Sequence, residues 1–127
     1  MINRLGIKQL IYAKTLLDNG ALGEPLHFRC LCAHDQGYKD TLPSYWYDPA
    51  VTCGGALIDM GFNSTYLARY IMGDFESVST VFNDNCIHKE VEDTAICTVK
   101  FKNGATGTIE GTFCTPAMSV FELGIYG

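Results

Sequence analysis

What this 127-residue sequence lacks narrows its class before any motif is read. No apolar run approaches the roughly 20 residues needed to cross a bilayer, and the first residues hold no signal-peptide core. Nine lysines and arginines face fourteen aspartates and glutamates, for a net charge of −5 and no basic patch suited to nucleic acid. Internal repeats and low-complexity segments are missing as well. These absences leave a soluble globular chain with no membrane or nucleic-acid partner. Its length suits one domain over residues 1–127, long enough to bury a core.

Six cysteines, Cys30, Cys32, Cys53, Cys86, Cys97 and Cys114, form an even set. Without a secretory signal they read as reduced thiols in a cytoplasmic protein. Cys30, Cys32 and His34 alternate and share one strand face, a spacing able to hold a metal. No second CxxC or HxxxH completes four ligands, so no metal is expected and the thiols read as small buried hydrophobes.

What is present centres on Thr52-Cys53-Gly54-Gly55-Ala56-Leu57-Ile58-Asp59-Met60-Gly61-Phe62-Asn63. Paired glycines open a helical pattern that runs from Leu57 to Ile71. Leu57, Met60, Ser64, Leu67, Ala68 and Ile71 share one side and predict a core-facing stripe. Asp59, Asn63, Tyr66 and Tyr70 fall opposite, because residues three and four apart stack above one another. A carboxylate, an amide and two phenols on one arc suit a polyhydroxylated ligand. They equally suit a solvated helix face, with Asp59 favoured by the helix dipole.

Ahead of this helix, Ile7 to Leu17 predicts an amphipathic helix stopped by Asn19-Gly20. Leu26 to Ala33 alternates as a strand. The connection from His34 to Val51 carries Tyr38, Tyr45, Trp46 and Tyr47, and is long enough to be a binding loop. Its aromatics either stack on a ligand or pin the loop to the core. Behind the helix, strands are expected over Phe75 to Phe82, Asp93 to Phe101, Ala105 to Cys114 and Ser119 to Tyr126, with Asn103-Gly104 as a hairpin turn. The result is an α+β domain: a predominantly antiparallel open sheet with helices on one face. The other face is Thr-rich, open to water or to another subunit.

Trp46-Tyr47-Asp48-Pro49, Gly54-Gly55-Ala56-Leu57-Ile58-Asp59-Met60-Gly61, Val91-Glu92-Asp93-Thr94-Ala95 and Phe101-Lys102-Asn103-Gly104-Ala105-Thr106-Gly107-Thr108 occur in this order. Leu16 to Pro25 (LLDNGALGEP) and Leu123 to Gly127 (LGIYG) extend the pattern over almost the whole chain. In sequence and spacing it resembles the C-terminal domain of the Gfo/Idh/MocA oxidoreductases, which include glucose–fructose oxidoreductase and inositol dehydrogenase. The resemblance implies a two-domain enzyme. A Rossmann domain outside this chain would hold NAD or NADP, and the domain here would carry substrate contacts and build a homo-oligomer through its open sheet face.

The family's helix reads Asp-x-x-x-His after the Gly-Gly turn, with a lysine from the Rossmann domain completing the site. Asp59 matches that aspartate, whereas Asn63 stands where histidine is usual, and a carboxamide cannot accept the hydroxyl proton. The proton could instead go to Asp59, to Tyr66 or to the lysine, which the family pattern places first. The expectation is that Asp59 and Asn63 meet the reacting hydroxyl, with Trp46, Tyr66 and Gly55 framing a sugar or cyclitol substrate. No Gly-rich dinucleotide fingerprint is present, since Gly54-Gly55-Ala56 follows a loop rather than a strand. The chain therefore reads as a fragment of a longer dehydrogenase, inactive and without tight cofactor binding by itself. The rival reading is a non-catalytic binding or assembly module on the same scaffold.

Overall fold

The protein's architecture comes from a computed structural model that describes residues 4–116 and 119–127. Helix α1 spans Lys8–Asp18, and its end is closed where Gly20 takes φ 72° and its N–H reaches the Leu17 carbonyl. Strand β1, His27–His34, follows, then the long connection with a 3₁₀ turn at Ser44–Tyr47 and the short helix α2 at Pro49–Thr52. Asp48 caps α2 by accepting the Ala50 N–H at 2.9 Å, and Pro49 takes the first helical position. The Trp46-Tyr47-Asp48-Pro49 motif is thus a helix start.

The expected single helix from Leu57 to Ile71 is divided. Leu57–Gly61 forms a π-helical turn, and α3 then spans Phe62–Met72. The wide turn lies directly on the sheet, where a Cβ added to Gly111 would come within 2.8 Å of the Ala56 carbonyl and 2.9 Å of Gly61 N. The extra residue per turn changes the helical phase between Asp59 and α3 relative to a uniform 100° step. The apolar stripe survives, with Ser64, Leu67, Ala68 and Ile71 buried and Leu57 and Met60 partly so.

Strands β2 (Phe75–Asn83), β3 (Thr94–Phe101), β4 (Thr106–Thr112) and β5 (Ser119–Tyr126) complete the described sheet, ordered β2-β3-β4-β1-β5. Only the β1–β4 pairing is parallel; the other three are antiparallel. Phe28, Cys30, Cys97, Val99, Phe101 and Ile109 meet Ala68, Ile71 and Met72 of α3 in the main core. A smaller cluster of Leu42, Ala56 and Phe113, with Trp46 and Met60 against it, lies under the long connection. The helices stop short of β2, whose Val78 and Phe82 are each 57% exposed on the core side of the sheet.

The cysteine expectation is corrected here. Cys86 and Cys114 are joined in a disulfide, while Cys30, Cys32, Cys53 and Cys97 are thiols outside it. The two partners are 28 positions apart, and the fold brings their Cα atoms to 6.4 Å, a juxtaposition that local spacing does not encode.

Candidate functional site

The site is built where the turn after Gly54-Gly55 meets the end of β1. Two acidic neighbours, Glu92 and Asp93, set its frame. Glu92 accepts the N–H groups of Gly55 and Leu57 at 2.9 Å each, and its carbonyl accepts the Ala56 N–H. A Cβ on Gly55 would fall 1.9 Å from the Glu92 carbonyl oxygen, so only glycine fits there. Asp93, 1% exposed, accepts the N–H groups of Cys86 and Ile87 and holds that loop. Its backbone pairs with Asn83 on one side and Phe113 on the other.

Asp59 belongs to the same turn, yet its carboxylate is differently placed. Its side chain is 34% exposed, and its Oδ2 lies 3.9 Å from His34 Nε2. His34, on the face of β1 that also carries Phe28, Cys30 and Cys32, stacks on Phe113 with ring centres 5.1 Å apart and planes 10° apart. The Gln36 N–H donates to its Nδ1 at 3.2 Å. Trp46 meets Phe113 edge-on at 6.4 Å. Trp46, Phe113, His34 and Asp59 therefore form one connected row.

The other sequence candidates join this row unequally. Asn63 lies one turn after Asp59, with Nδ2 3.4 Å from the Asp59 carbonyl oxygen. Tyr66 packs edge-on against Phe62 at 5.4 Å. Tyr70 turns toward α1, with Lys14 Nζ 5.7 Å from its ring centre. Gly55 is buried with its N–H taken by Glu92, which places it in packing rather than in ligand contact. Within the long connection the aromatics divide between packing and exposure. Trp46 and Tyr47 pack on the small cluster, while Tyr38 and Tyr45 are 71% and 54% exposed. Burial, and secondarily the charge of Asp40, pushes the Tyr47 phenol above its ordinary range.

Cys30, Cys32 and His34 do not assemble a metal site. Among the described residues, potential ligand atoms converge at Cys86, Asp93 and Cys114, within 4.8 Å of one another. There the sulfurs are bonded to each other, and one Asp93 oxygen already serves two backbone N–H groups. A dinucleotide's phosphates also find no cradle at the Gly-Gly turn. The amides that could bind them already hold the Glu92 carboxylate, so this turn does not fit that part of NAD(P). His34 and Phe113 were the residues missed in sequence. The Cys-x-Cys-x-His alternation drew attention to His34 as a ligand, and no local pattern pairs it with Asp59 across 25 positions.

Comparison with known proteins gives this geometry a context. Residues 10–127 match the family model described as the GFO/IDH/MocA C-terminal domain. Myo-inositol 2-dehydrogenase of Thermotoga maritima is 32% identical over 106 residues, covering 78% of this chain and 29% of that protein. Levoglucosan dehydrogenase of Pseudarthrobacter phenanthrenivorans is 25% identical over 124 residues, covering 79% of this chain and 32% of that protein. Among solved structures, levoglucosan dehydrogenase in complex with NADH and levoglucosan superposes with a TM-score of 0.83 at 26% identity, over 91% of this chain and 34% of that one. The chain thus spans about a third of the length of the relatives it matches. No helix among the described residues is long and apolar enough to cross a membrane. On the family model, which takes in nearly the whole sequence, this chain belongs to the GFO/IDH/MocA C-terminal domain family.

Proposed function

We propose that this chain is the substrate-binding domain of an NAD(P)-dependent oxidoreductase that acts on a hydroxylated small molecule, a sugar or cyclitol. The nicotinamide dinucleotide, which takes up hydride in such enzymes, is held by a domain outside this chain. One observation carries the reading: Asp59 keeps a partly exposed carboxylate on the turn whose Gly55 and Leu57 amides are held by Glu92. Among the described residues the ionisable side chain beside it is the His34 imidazole, at 3.9 Å. A carboxylate left available in this way accepts a hydrogen bond from a substrate hydroxyl and steadies the proton that leaves the oxygen on oxidation.

Asn63, one turn on, donates or accepts a hydrogen bond without titrating, and so selects hydroxyl orientation rather than moving a proton. Trp46, edge-on to Phe113 within the row, and Tyr66, on the helix one turn beyond Asn63, offer apolar surface for a ring. The experiment is turnover of the protein with its natural ends against a panel of polyols and anhydrosugars with NAD or NADP. Asp59→Asn is expected to lower kcat about a hundredfold or more, the range for loss of a positioned proton acceptor. Unchanged turnover removes Asp59 from the site.

The outer sheet face supports self-association. Val81 and Ile96, paired across β2 and β3, are 71% and 45% exposed there beside a threonine ladder at Thr98 and Thr108. A homo-oligomer through this face is expected by sedimentation equilibrium, and a monomer at high concentration counts against it. Four cysteines outside any disulfide support a cytoplasmic setting, and the Cys86–Cys114 bond is the feature that opposes it.

The second reading, a non-catalytic binding module, draws on Asn63, which cannot supply the base that histidine would. Saturable polyol binding with no turnover under either cofactor would select it.

A further inference from the structure

We infer that His34 is the positioning residue for Asp59: a neutral imidazole, fixed on the end of β1, whose Nε2–H aims the Asp59 carboxylate at the substrate hydroxyl. The inference rests on the preceding assignment of Asp59 and adds the group that orients it. An imidazole does reach the acid of this site, but from a strand 25 positions earlier rather than from one turn along the helix.

Three observations converge on this role. The first is the tautomer. The Gln36 N–H points at Nδ1 from 3.2 Å, so that nitrogen offers its lone pair and the ring proton of a neutral imidazole is on Nε2. Nε2 is the atom that faces Asp59.

The second is rigidity. Phe113 lies parallel to the imidazole and is itself fully buried. Its N–H bonds the Asp93 carbonyl at 2.8 Å, and its carbonyl accepts the N–H of Gly37 at 3.0 Å. The next residue, Cys114, is tied to Cys86. A ring stacked on so fixed a platform has one useful direction in which to donate.

The third is layering. The His34 side chain is 13% exposed and that of Asp59 34%, so the imidazole lies behind the carboxylate and the carboxylate faces outward. The nearby charges of the following loop, Asp35 and Lys39, pair with each other at 2.5 Å. Phe113, the ring partner just past the end of β4, brings no charge.

At 3.9 Å the His34–Asp59 contact is longer than a hydrogen bond. Such contacts commonly tighten when substrate enters. A base oriented by a third group is the general logic of catalytic triads and of histidine held by an outer partner. Here the order is reversed, with histidine as orienter and aspartate as acceptor.

The test uses the protein with its natural ends and two readouts. The first is ¹⁵N spectroscopy with labelled histidine. The expected spectrum shows His34 with a proton-bearing Nε2 and an unprotonated Nδ1, and Asp59→Asn perturbs the Nε2–H signal. A proton on Nδ1, or an Nε2 signal indifferent to Asp59→Asn, overturns the inference without any need for turnover.

The second readout is kinetic. His34→Phe keeps the stack on Phe113 and removes the donor, whereas His34→Gln restores an N–H. The phenylalanine variant is expected to lose about tenfold or more in kcat, the usual cost of an outer-partner change, with KM little altered. The glutamine variant should recover most of it. His34→Phe combined with Asp59→Asn should be no slower than Asp59→Asn alone, since the two act through one group. A full-speed His34→Phe beside a defective Asp59→Asn ends this inference and leaves the Asp59 assignment standing. An Asp59→Asn that turns over normally ends both.

Discussion

Glu92 and Asp93 at the entry to β3, and Asp59 on the turn that Glu92 holds, show opposite uses of one functional group. The first two direct their oxygens at backbone N–H groups. Glu92 takes Gly55 and Leu57, and Asp93 takes Cys86 and Ile87. Asp59 is two residues beyond Leu57, is a third exposed, and has the His34 imidazole at 3.9 Å as its ionisable neighbour among the described residues. A carboxylate saturated by the main chain is architecture, because removing it strands buried donors. A carboxylate left with spare lone pairs is available to a ligand. The acidic motif around Glu92 and the acidic helix start at Asp59 look alike in sequence and differ in this one respect.

The comparison is broken most forcefully by Asp93→Ala. That change empties the site of a fully buried side chain, removes the acceptor shared by the Cys86 and Ile87 N–H groups and frees the loop carrying Cys86, so a loss of about 3 kcal/mol or more in unfolding free energy is expected by urea titration. Gly55→Ala drives a methyl into the Glu92 backbone, 1.9 Å from the carbonyl oxygen, and should cost about 2–3 kcal/mol by the same measurement. Glu92→Gln keeps one amide acceptor for two donors and should cost about 1–2 kcal/mol.

The smallest effect lies far from the site, at Asp74. Hydrogen bonding from Arg69 at 2.9 Å, with the charges of Arg69 and then Lys102, holds its carboxyl below the usual range. A carboxyl lowered in the folded state adds stability above its unfolded value, and that contribution is lost as pH falls through the folded value. Arg69→Ala should therefore bring the Asp74 titration, followed by carboxyl ¹³C shifts, back toward the ordinary range. It should also shrink the acid-side loss of stability.

Most of the fold was legible in the residues. Alternation located β1 and β3 to β5 within two residues, Asn103-Gly104 marked the hairpin, and Asn19-Gly20 marked the end of α1. These are local signals, each fixed by side-chain period or by a turn's φ. What failed were features set by contacts distant in sequence. The π-helical turn at Leu57–Gly61 depends on Gly111, some fifty positions later, allowing the backbone to press onto β4. The Cys86–Cys114 bond and the parallel β1–β4 pairing likewise arise only once the sheet is assembled.

The candidate site was legible to the same depth. Asp59 follows from the motif, whereas His34 and Phe113 enter from two strands and could be paired with it only in three dimensions. Gly55 was selected beside Asp59, yet the fold uses it for clearance against Glu92.

The central claim is that Asp59 serves a ligand while Glu92 and Asp93 serve the chain. It is tested most directly by measuring unfolding free energy and turnover on one preparation of Asp59→Asn. Unfolding is expected within about 0.5 kcal/mol of the parent, as for a surface change, with kcat lowered about a hundredfold or more. A loss of stability comparable to that of Asp93→Ala, with turnover per folded molecule unchanged, would contradict it.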